Sequence, residues 1–332
     1  MEPEQIKVDI TMDEMNRAGE IISRIRNYYT SKMVGQEQLG ISLIVSMIAN
    51  GHILLESVPG LAKTTAAKVV TEAVNGQFSR IQRTPDLLPS DIIGTQTFNM
   101  TTNTFETKLG PVYANFVLLD EVNRSSAKTQ SAMLEAMQEK STSIGGRTYK
   151  LPDVFIVVAT QNPIEQEGTY VLSEAQLDRF LLKEVITYPT VDQEVEILNR
   201  VEAEIFNAAT AVATLDDVVF LQNLCKKIYV APTIKKYIVD VVQASRDVEK
   251  VIPPDLASYV AMGASTRAAI AFMEVAKAVA LISGRAYCTP DDVKALRYEV
   301  LRHRIMLNFA AVADGVKEEK IIDAIFGAVP TP

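Results

Sequence analysis

Short apolar runs alternate with a helical pattern along the first half of the chain. The runs predict buried strands at 53–55, 78–82, 116–119, 154–159 and 180–186. A stretch with the character of a helix, 62–75, follows the first run and closes at Gly76. Apolar strands separated by helices are typical of a parallel sheet that is covered on both faces. The pattern therefore predicts an α/β domain with a five-stranded parallel sheet and flanking helices.

The pattern changes at Tyr188-Pro189, and amphipathic helices follow. Val218, Leu221 and Leu224 recur at helical spacing, for example. The predicted helices are 191–206, 215–229, 232–249, 265–283, 290–304 and 317–327. We therefore expect an α/β domain at residues 1–188 and an all-helical domain at residues 189–332.

Two insertions interrupt the first domain. The first, near 95–110, is rich in Thr and Phe and has a polar turn at Thr101-Thr102-Asn103. The second, 141–149, contains Gly145-Gly146, a pair that favours the primed turn of a two-residue hairpin. Both insertions are predicted to be β-hairpins. They either cover an edge of the sheet or form a working surface.

Composition restricts the function further. The 332 residues include 41 acids and 33 bases, for a formal net charge of -8, which argues against one broad basic surface for nucleic acid. Two cysteines and two histidines exclude a disulfide framework, a cysteine-rich zinc site and a multi-histidine metal centre. No signal peptide is recognised, and the stretch 38–55 is too polar to span a bilayer. We expect a soluble protein of a reducing compartment, most simply the cytoplasm.

A candidate phosphate loop joins the first strand to the helical stretch 62–75. It keeps the lysine and threonine of the general pattern G-x-x-x-x-G-K-[ST] as Lys63 and Thr64. Backbone N–H groups at a helix N-terminus converge on an anion. Lys63 would bridge the β- and γ-phosphates, and Thr64 would ligate Mg²⁺. The candidate nucleotide-contacting residues of this loop are Ser57, Val58, Pro59, Gly60, Leu61, Ala62, Lys63, Thr64 and Thr65.

Two residues of the loop differ from the general pattern, since Ser57 and Ala62 replace its glycines. The exchange at Ala62 costs little if its backbone is already helical, because only left-handed conformations demand glycine. The Cβ of Ser57 could crowd a nucleotide. The alternative to a phosphate loop is an ordinary strand-to-helix turn with a solvated lysine.

Polar residues also end two later strands. Asp120 and Glu121 follow the run 116–119, and Asn162 follows the run 154–159. Ligands of open α/β sheets bind at this carboxyl edge, and buried carboxylates need a cation or a polar partner there. We expect Asp120 to hold the Mg²⁺ shell, Glu121 to polarise the attacking water and Asn162 to orient it. The alternatives are a strand ending in a solvated loop and a turn-capping Asn before Pro163.

Taken together, these residues resemble the AAA+ ATPases, and within them the MoxR family. The likeness covers roughly residues 15–325. Ser57 departs from it, because the family usually has glycine there, and so does Thr266, where the family often has proline. The matching stretches are 34–37, 51–56, 58–64, 84–91, 119–124, 159–170 and 174–180.

The resemblance implies an ATP-driven ring, a hexamer, with nucleotide at the subunit interfaces. By the same likeness, Val34 and Gly35 form the adenine-side box, Lys63 and Thr64 belong to Walker A, and Asp120 and Glu121 belong to Walker B. Asn162 corresponds to the first sensor. The two insertions resemble loops that family members present to a central pore.

Two arginines gain roles from the resemblance. Arg179 matches the arginine finger that reaches a neighbour's γ-phosphate, and a guanidinium suits that bidentate contact. Ser173 and Gln176 have capping-box spacing, so a short helix should begin near Ser173 and end near Arg179. The alternative for Arg179 is a cation that settles this helix end.

Arg267 matches the second sensor, in the first turn of a helix capped by Ser265 or Thr266. A cation in that turn opposes the helix dipole, which a γ-phosphate could offset. The alternative is a surface arginine with an acid nearby. Arg124, beside the Walker B acids, is a further candidate for an interface.

These roles predict an ATPase that binds ATP and Mg²⁺ between the two domains and remodels client proteins. The resemblance also implies a partner protein with a von Willebrand factor A-domain. A scaffold that binds ATP but hardly hydrolyses it is the main alternative, motivated by Ser57. A DNA-dependent motor fits the acidic balance poorly. A small-molecule kinase would explain neither Arg179 nor the helical domain.

Overall fold

The computed structural model describes residues 9–82, 87–163, 172–202 and 210–332. Contacts divide the chain into two compact units, one of residues 24–219 and one of residues up to 23 together with 220–332. Among the described residues, no helix is both long enough and apolar enough to cross a bilayer.

The first unit is built on strands and helices that alternate along the chain. The strands β1 to β9 are Ile53–Glu56, Phe78–Ile81, Gly94–Asn99, Thr104–Leu109, Phe116–Leu119, Ser141–Ile144, Arg147–Lys150, Ile156–Gln161 and Leu182–Val185. The helices α1 to α7 are Met12–Lys32, Glu37–Ile48, Lys63–Ala73, Pro89–Ile93, Ala127–Glu139, Glu174–Leu177 and Val191–Glu202, and α1 begins in the second unit. Short 3₁₀ turns lie at Pro111–Tyr113 and Val122–Arg124.

Five of these strands form one parallel sheet in the order β2-β5-β8-β1-β9. The predicted five-stranded α/β fold is therefore confirmed. Strand β5 is buried throughout, and β1 and β8 are buried except at their last residues, which is why they read as unbroken apolar runs. Strand β2 lies at the edge and carries polar residues, among them the exposed Arg80.

The register of the three central strands brings their carboxyl ends to one place. Leu119 of β5 pairs with Ala159 of β8, and Gln161 of β8 pairs with Glu56 of β1. The loop that follows each strand therefore starts at the same edge of the sheet. This edge carries the candidate phosphate loop, the acid pair and Asn162.

Two antiparallel hairpins occupy the insertions. Strands β3 and β4 pair from Gly94 with Leu109 to Asn99 with Thr104, and β6 pairs with β7. Gly145 and Gly146 have φ of 56° and 78°, as the predicted primed turn requires.

The second unit is helical, with one small antiparallel pair of strands. Its helices α8 to α16 are Leu215–Lys227, Pro232–Arg246, Val248–Val251, Pro254–Ala257, Thr266–Ile282, Pro290–Ala295, Arg297–Leu301, Phe309–Ala313 and Glu318–Ala328, the first of which begins in the other unit. The strands β10 and β11 are Val260–Met262 and Met306–Leu307. The rings of Tyr237 and Phe272 both meet Phe326 edge-on in the core.

Two helices expected to be continuous are broken. The helix over 232–249 stops at Arg246, where Asp247 leaves the helical region with φ -107° and ψ 40°. The helix over 290–304 breaks at Leu296, with φ -121° and ψ 35°, while Val293 before it and Val300 after it are both buried. The remainder of the helix predicted at 191–206 lies outside the described residues after Glu202.

His52 links the sheet to the helix α5. Its Nδ1 accepts a hydrogen bond from the Val157 amide at 3.0 Å, so the proton sits on Nε2, which lies 3.3 Å from the carbonyl oxygen of Met137. Burial lowers the pKa of His52 from 6.5 to about 4. The folded protein therefore holds this imidazole neutral at pH values where an unfolded chain would protonate it.

We predict a pH-dependent loss of stability from His52. Between pH 6.5 and 4 the unfolded chain binds a proton that the folded chain excludes, so stability is present above pH 6.5 and falls as the pH drops. Chemical denaturation at pH 7 and pH 5 should show wild type losing about 2 kcal/mol more than His52→Gln over this interval. Parallel losses in the two proteins would contradict the neutral, buried imidazole.

Candidate functional site

The loop between β1 and α3 curls into an anion cradle. Gly60 has φ of +88°, and Ala62, the residue before α3, has φ 53° and ψ 24°. The Ala66 amide donates back to the Ala62 carbonyl at 2.9 Å. Amides in the first turn of a helix have no partner within the helix, so they are available for an anion.

Ala62 does not meet the condition of a helical backbone, and helix α3 begins one residue later, at Lys63. Its dihedral angles lie in the left-handed region, where a Cβ costs roughly 1–2 kcal/mol. This conformation explains why the general phosphate-loop pattern has glycine at this position. Ala62 therefore holds strain at the point where the loop enters the helix.

Lys63 lies folded over its own loop. Its Nζ donates to the carbonyl oxygens of Ser57 at 3.2 Å and Val58 at 3.4 Å. Partial burial lowers the pKa of Lys63, while the negative charges of Asp120 and Glu121 oppose this. The ammonium therefore faces the acid pair and has weak carbonyl partners that a phosphate could replace.

Ser57 lies beneath the loop and does not line the cavity at its mouth. Its side chain is buried, and its hydroxyl donates to the Val58 carbonyl at 2.9 Å. Ser57 and Val58 contribute their carbonyls to Lys63 but do not line the cavity described below. The effect of the Ser57 Cβ on a bound nucleotide stays a prediction.

Thr160 organises the acid pair. Its hydroxyl donates to Asp120 Oδ1 at 3.1 Å and accepts from the Glu121 amide at 2.9 Å. Glu121 adopts a left-handed conformation, with φ 50° and ψ 56°, at the point where the chain leaves the sheet. Its carboxylate lies 3.3 Å from Nη1 of Arg124. Thr160 therefore fixes the positions of both acids, a role that the sequence analysis did not assign to it.

Arg80 is a second residue that sequence reasoning missed. From the edge strand β2, its Nε donates to Asp120 Oδ2 at 2.8 Å. No motif marks this arginine, because only the pairing of β2 with β5 brings it to the carboxylate.

One cavity of about 340 Å³ gathers these groups. The candidate residues Lys63, Thr64, Asp120, Glu121 and Asn162 all line it. Thr160 lines it as well, and the other lining residues are Pro59, Gly60, Leu61, Ala62, Arg80 and Gln82.

A second cavity of about 490 Å³ adjoins the other side of the loop. Val34 and Thr65 line it together with Tyr188 and Ile197. Gly35 lies next to Val34 with φ +72°, and a Cβ there would overlap Oε1 of Gln193. The largely apolar lining suits a flat, uncharged group such as a nucleobase.

The two cavities share Pro59, Gly60, Leu61 and Ala62. A nucleotide could therefore lie across the loop, with its base in the second cavity and its phosphates in the first.

Two predicted arginines lie outside both cavities. Arg179 follows α6, whose Ser173–Gln176 capping box is present, and its Nε donates to Oε1 of Gln138 at 3.2 Å. Arg267 belongs to the helical unit, where Ser265 caps α12 and accepts from the Arg267 amide at 3.1 Å. Their roles toward a nucleotide stay predictions.

The donor set fits a magnesium–nucleotide complex. Mg²⁺ prefers oxygen ligands and takes one or two of them from protein, with the remainder from water and phosphate. The hydroxyl of Thr64 and the carboxylate of Asp120 line the same cavity as the phosphate loop. Lys63 adds a positive charge for the phosphate oxygens.

Family models match both parts of the chain. The model of the ATPase family associated with various cellular activities (AAA) matches residues 52–182, and that of the AAA lid domain matches residues 255–325. The matched stretches contain the phosphate loop, the acid pair, Asn162 and Arg179 in the first model and Arg267 in the second. The fold and the matches together define an AAA-type ATPase architecture with a lid.

Three individual relatives indicate the family within this class. The chain is 46% identical to the chaperone MoxR1 of Mycobacterium tuberculosis, over 90% of this chain and 79% of that protein. It is 41% identical to the uncharacterised protein YeaC of Bacillus subtilis, over 96% and 95% of the two chains. A crystal structure of a proposed ATPase from Cytophaga hutchinsonii has a TM-score of 0.88 and 43% identity, over 96% and 97% of the two chains. The chain belongs to the MoxR family of AAA+ ATPases.

The resemblance noted from the sequence is thereby confirmed at the family level. Parts of two matching stretches lie outside the described residues, namely 84–86 of the stretch 84–91 and 164–170 of the stretch 159–170.

We predict that Ala62→Gly stabilises the protein. The exchange removes left-handed strain at a cost in unfolded-chain entropy, for a net gain of up to about 1 kcal/mol in unfolding free energy. Ala127→Gly, at the first position of α5, is the matched control and should lose up to about 1 kcal/mol. Urea denaturation of both variants measures the difference, and equal losses would show that Ala62 is not strained.

Proposed function

We propose that this protein is an ATP-hydrolysing chaperone that works as a hexameric ring in the cytoplasm and remodels client proteins. The observation that carries the proposal is the cavity where Lys63, Thr64, Asp120, Glu121 and Asn162 meet. Membership of an ATPase family supports hydrolysis as the reaction. The name of the relative MoxR1 supports a chaperone role. A von Willebrand factor A-domain partner remains part of the proposal by family resemblance.

In the proposed site, Lys63 and the loop amides bind the β- and γ-phosphates. Thr64 and Asp120 hold Mg²⁺, which would neutralise phosphate charge. The apolar cavity beside Val34 receives the adenine. These residues together orient the triphosphate with its γ-phosphorus toward Glu121.

Glu121 is proposed to take a proton from the attacking water, and Asn162 to orient that water. Glu121 has a left-handed backbone, and its backbone amide donates a hydrogen bond to the Thr160 hydroxyl. These two features hold the base in one place. Arg124, with its Nη1 3.3 Å from this carboxylate, orients it through an ion pair. A base held in a fixed position can act without reorganisation during the reaction.

Arg179 is proposed to complete the site of the next subunit. It lies outside both cavities of its own chain, and its partner Gln138 is a neutral side chain that a phosphate could replace. Arg267 is proposed to sense the γ-phosphate from the lid. Release of that phosphate would then cause a rigid-body motion of the lid, and this motion would act on the client.

A mixing experiment tests hydrolysis across the subunit interface. Alone, Glu121→Gln should lower the ATPase rate by a factor of about 10²–10⁴, and Arg179→Ala should lower it by a factor of about 10³–10⁵. Mixed in equal amounts before assembly, the two variants should recover on the order of a quarter of wild-type activity. Random assembly then pairs an intact Glu121 with a neighbour's intact Arg179 at that fraction of interfaces.

The matched control mixes Arg179→Ala with the double variant Glu121→Gln/Arg179→Ala, which offers no complete site and should stay inactive. Absence of recovery in the first mixture, with nucleotide binding and assembly intact, would show that Arg179 does not act in a neighbour's site. Absence of ATPase activity in wild type at every protein concentration, with ATP still bound, would favour the scaffold instead.

A further inference from the structure

Both oxygens of the Asp120 carboxylate are engaged within the chain. Oδ1 accepts from the Thr160 hydroxyl at 3.1 Å. Oδ2 accepts from Nε of Arg80 at 2.8 Å and from its Nη2 at 2.5 Å. The guanidinium thus holds one oxygen with two donors, and it neutralises the charge that a metal would otherwise meet.

The two partners of this ion pair differ in their freedom to move. The Asp120 side chain is 16% exposed and is held from the sheet interior by the fully buried Thr160, whereas the Arg80 side chain is 44% exposed on the edge strand. Arginine can swing by its long stem while its backbone stays in the sheet. Arg80 is therefore the partner that can move away from the ion pair.

Arg80 also has an alternative anion within reach, if the cavity binds phosphate. It lines the same cavity as Lys63 and Thr64, and arginine binds phosphate oxygens as readily as carboxylate. Without Arg80 or a metal, the charges of Asp120 and Glu121 would face an incoming polyphosphate and repel it.

We infer that Arg80 is a stand-in for the magnesium ion: it holds Asp120 while the metal is away and exchanges it for phosphate oxygens when metal and nucleotide bind. The inference rests on the proposed function, since it assumes the nucleotide site. It assigns Arg80 as a positioning residue that acts through Asp120. It also explains how a cavity with two acids can accept a polyphosphate before the metal is in place.

Calorimetric titration with ADP measures this exchange without turnover. For each protein, the dissociation constant in EDTA is divided by that in saturating Mg²⁺. Arg80→Ala leaves Asp120 unmasked only when the metal is absent, so its ADP affinity should fall further in EDTA than in Mg²⁺, where only the contacts of Arg80 to phosphate oxygens are lost. The ratio should therefore rise, by about tenfold over wild type, because an uncompensated carboxylate repels the phosphates. Arg80→Lys, which keeps the charge but not the fork, should give an intermediate ratio.

Arg147→Ala is the matched control, because it removes an exposed arginine of the same unit that lines neither cavity, and its ratio should equal that of wild type. Thermal unfolding checks that the Arg80 variants fold, and Arg80→Gln repeats the test with a longer neutral side chain. An unchanged ratio in Arg80→Ala and Arg80→Gln, or equal weakening in EDTA and Mg²⁺, would overturn the inference while leaving the nucleotide site intact. Failure of wild type itself to bind ADP would overturn the proposed function as well.

Discussion

The parallel register of three neighbouring strands is the constraint on which the site depends. Because β5, β8 and β1 pair in parallel, the residues that follow each of them emerge at one edge of the sheet. That edge receives a helix N-terminus from one strand, two carboxylates from the next and an amide from the third.

Charge balance at this edge decides what the cavity can bind. Lys63 and Arg80 line the same cavity as Asp120 and Glu121, so two positive charges oppose two negative ones before any ligand enters. A divalent cation would offset part of the negative charge that a polyphosphate brings to this cavity.

Local strain accompanies this arrangement. Ala62 and Glu121 both adopt left-handed conformations without being glycine, one where the phosphate loop enters its helix and one where the acid pair leaves the sheet. Strained backbone of this kind persists where the surrounding structure holds it, and it is common at functional sites. Here a helix on one side and the hydroxyl of Thr160 on the other provide that support.

Much of this architecture could be predicted from the sequence, for reasons that particular elements make plain. Strands such as β5 are buried on both faces, so they appear as uninterrupted apolar runs, and Lys63-Thr64 marks its own loop. Helix α2 gave no such signal, because most of its residues are buried and no polar face alternates with an apolar one.

The contacts of Arg80 and Thr160 were out of reach for a different reason. They depend on how β2, β5 and β8 align, and a single sequence does not contain that alignment. The conformation of Ala62 was equally hidden, since alanine gives no sign of a left-handed backbone.

A crystal structure of the chain with ADP and magnesium would show directly where the nucleotide binds. We expect the phosphates in the cavity lined by Lys63 and Thr64, the metal beside Asp120 and the base in the cavity lined by Val34. A nucleotide bound elsewhere, with Lys63 still on the carbonyls of its own loop, would show that this edge of the sheet is not the nucleotide site.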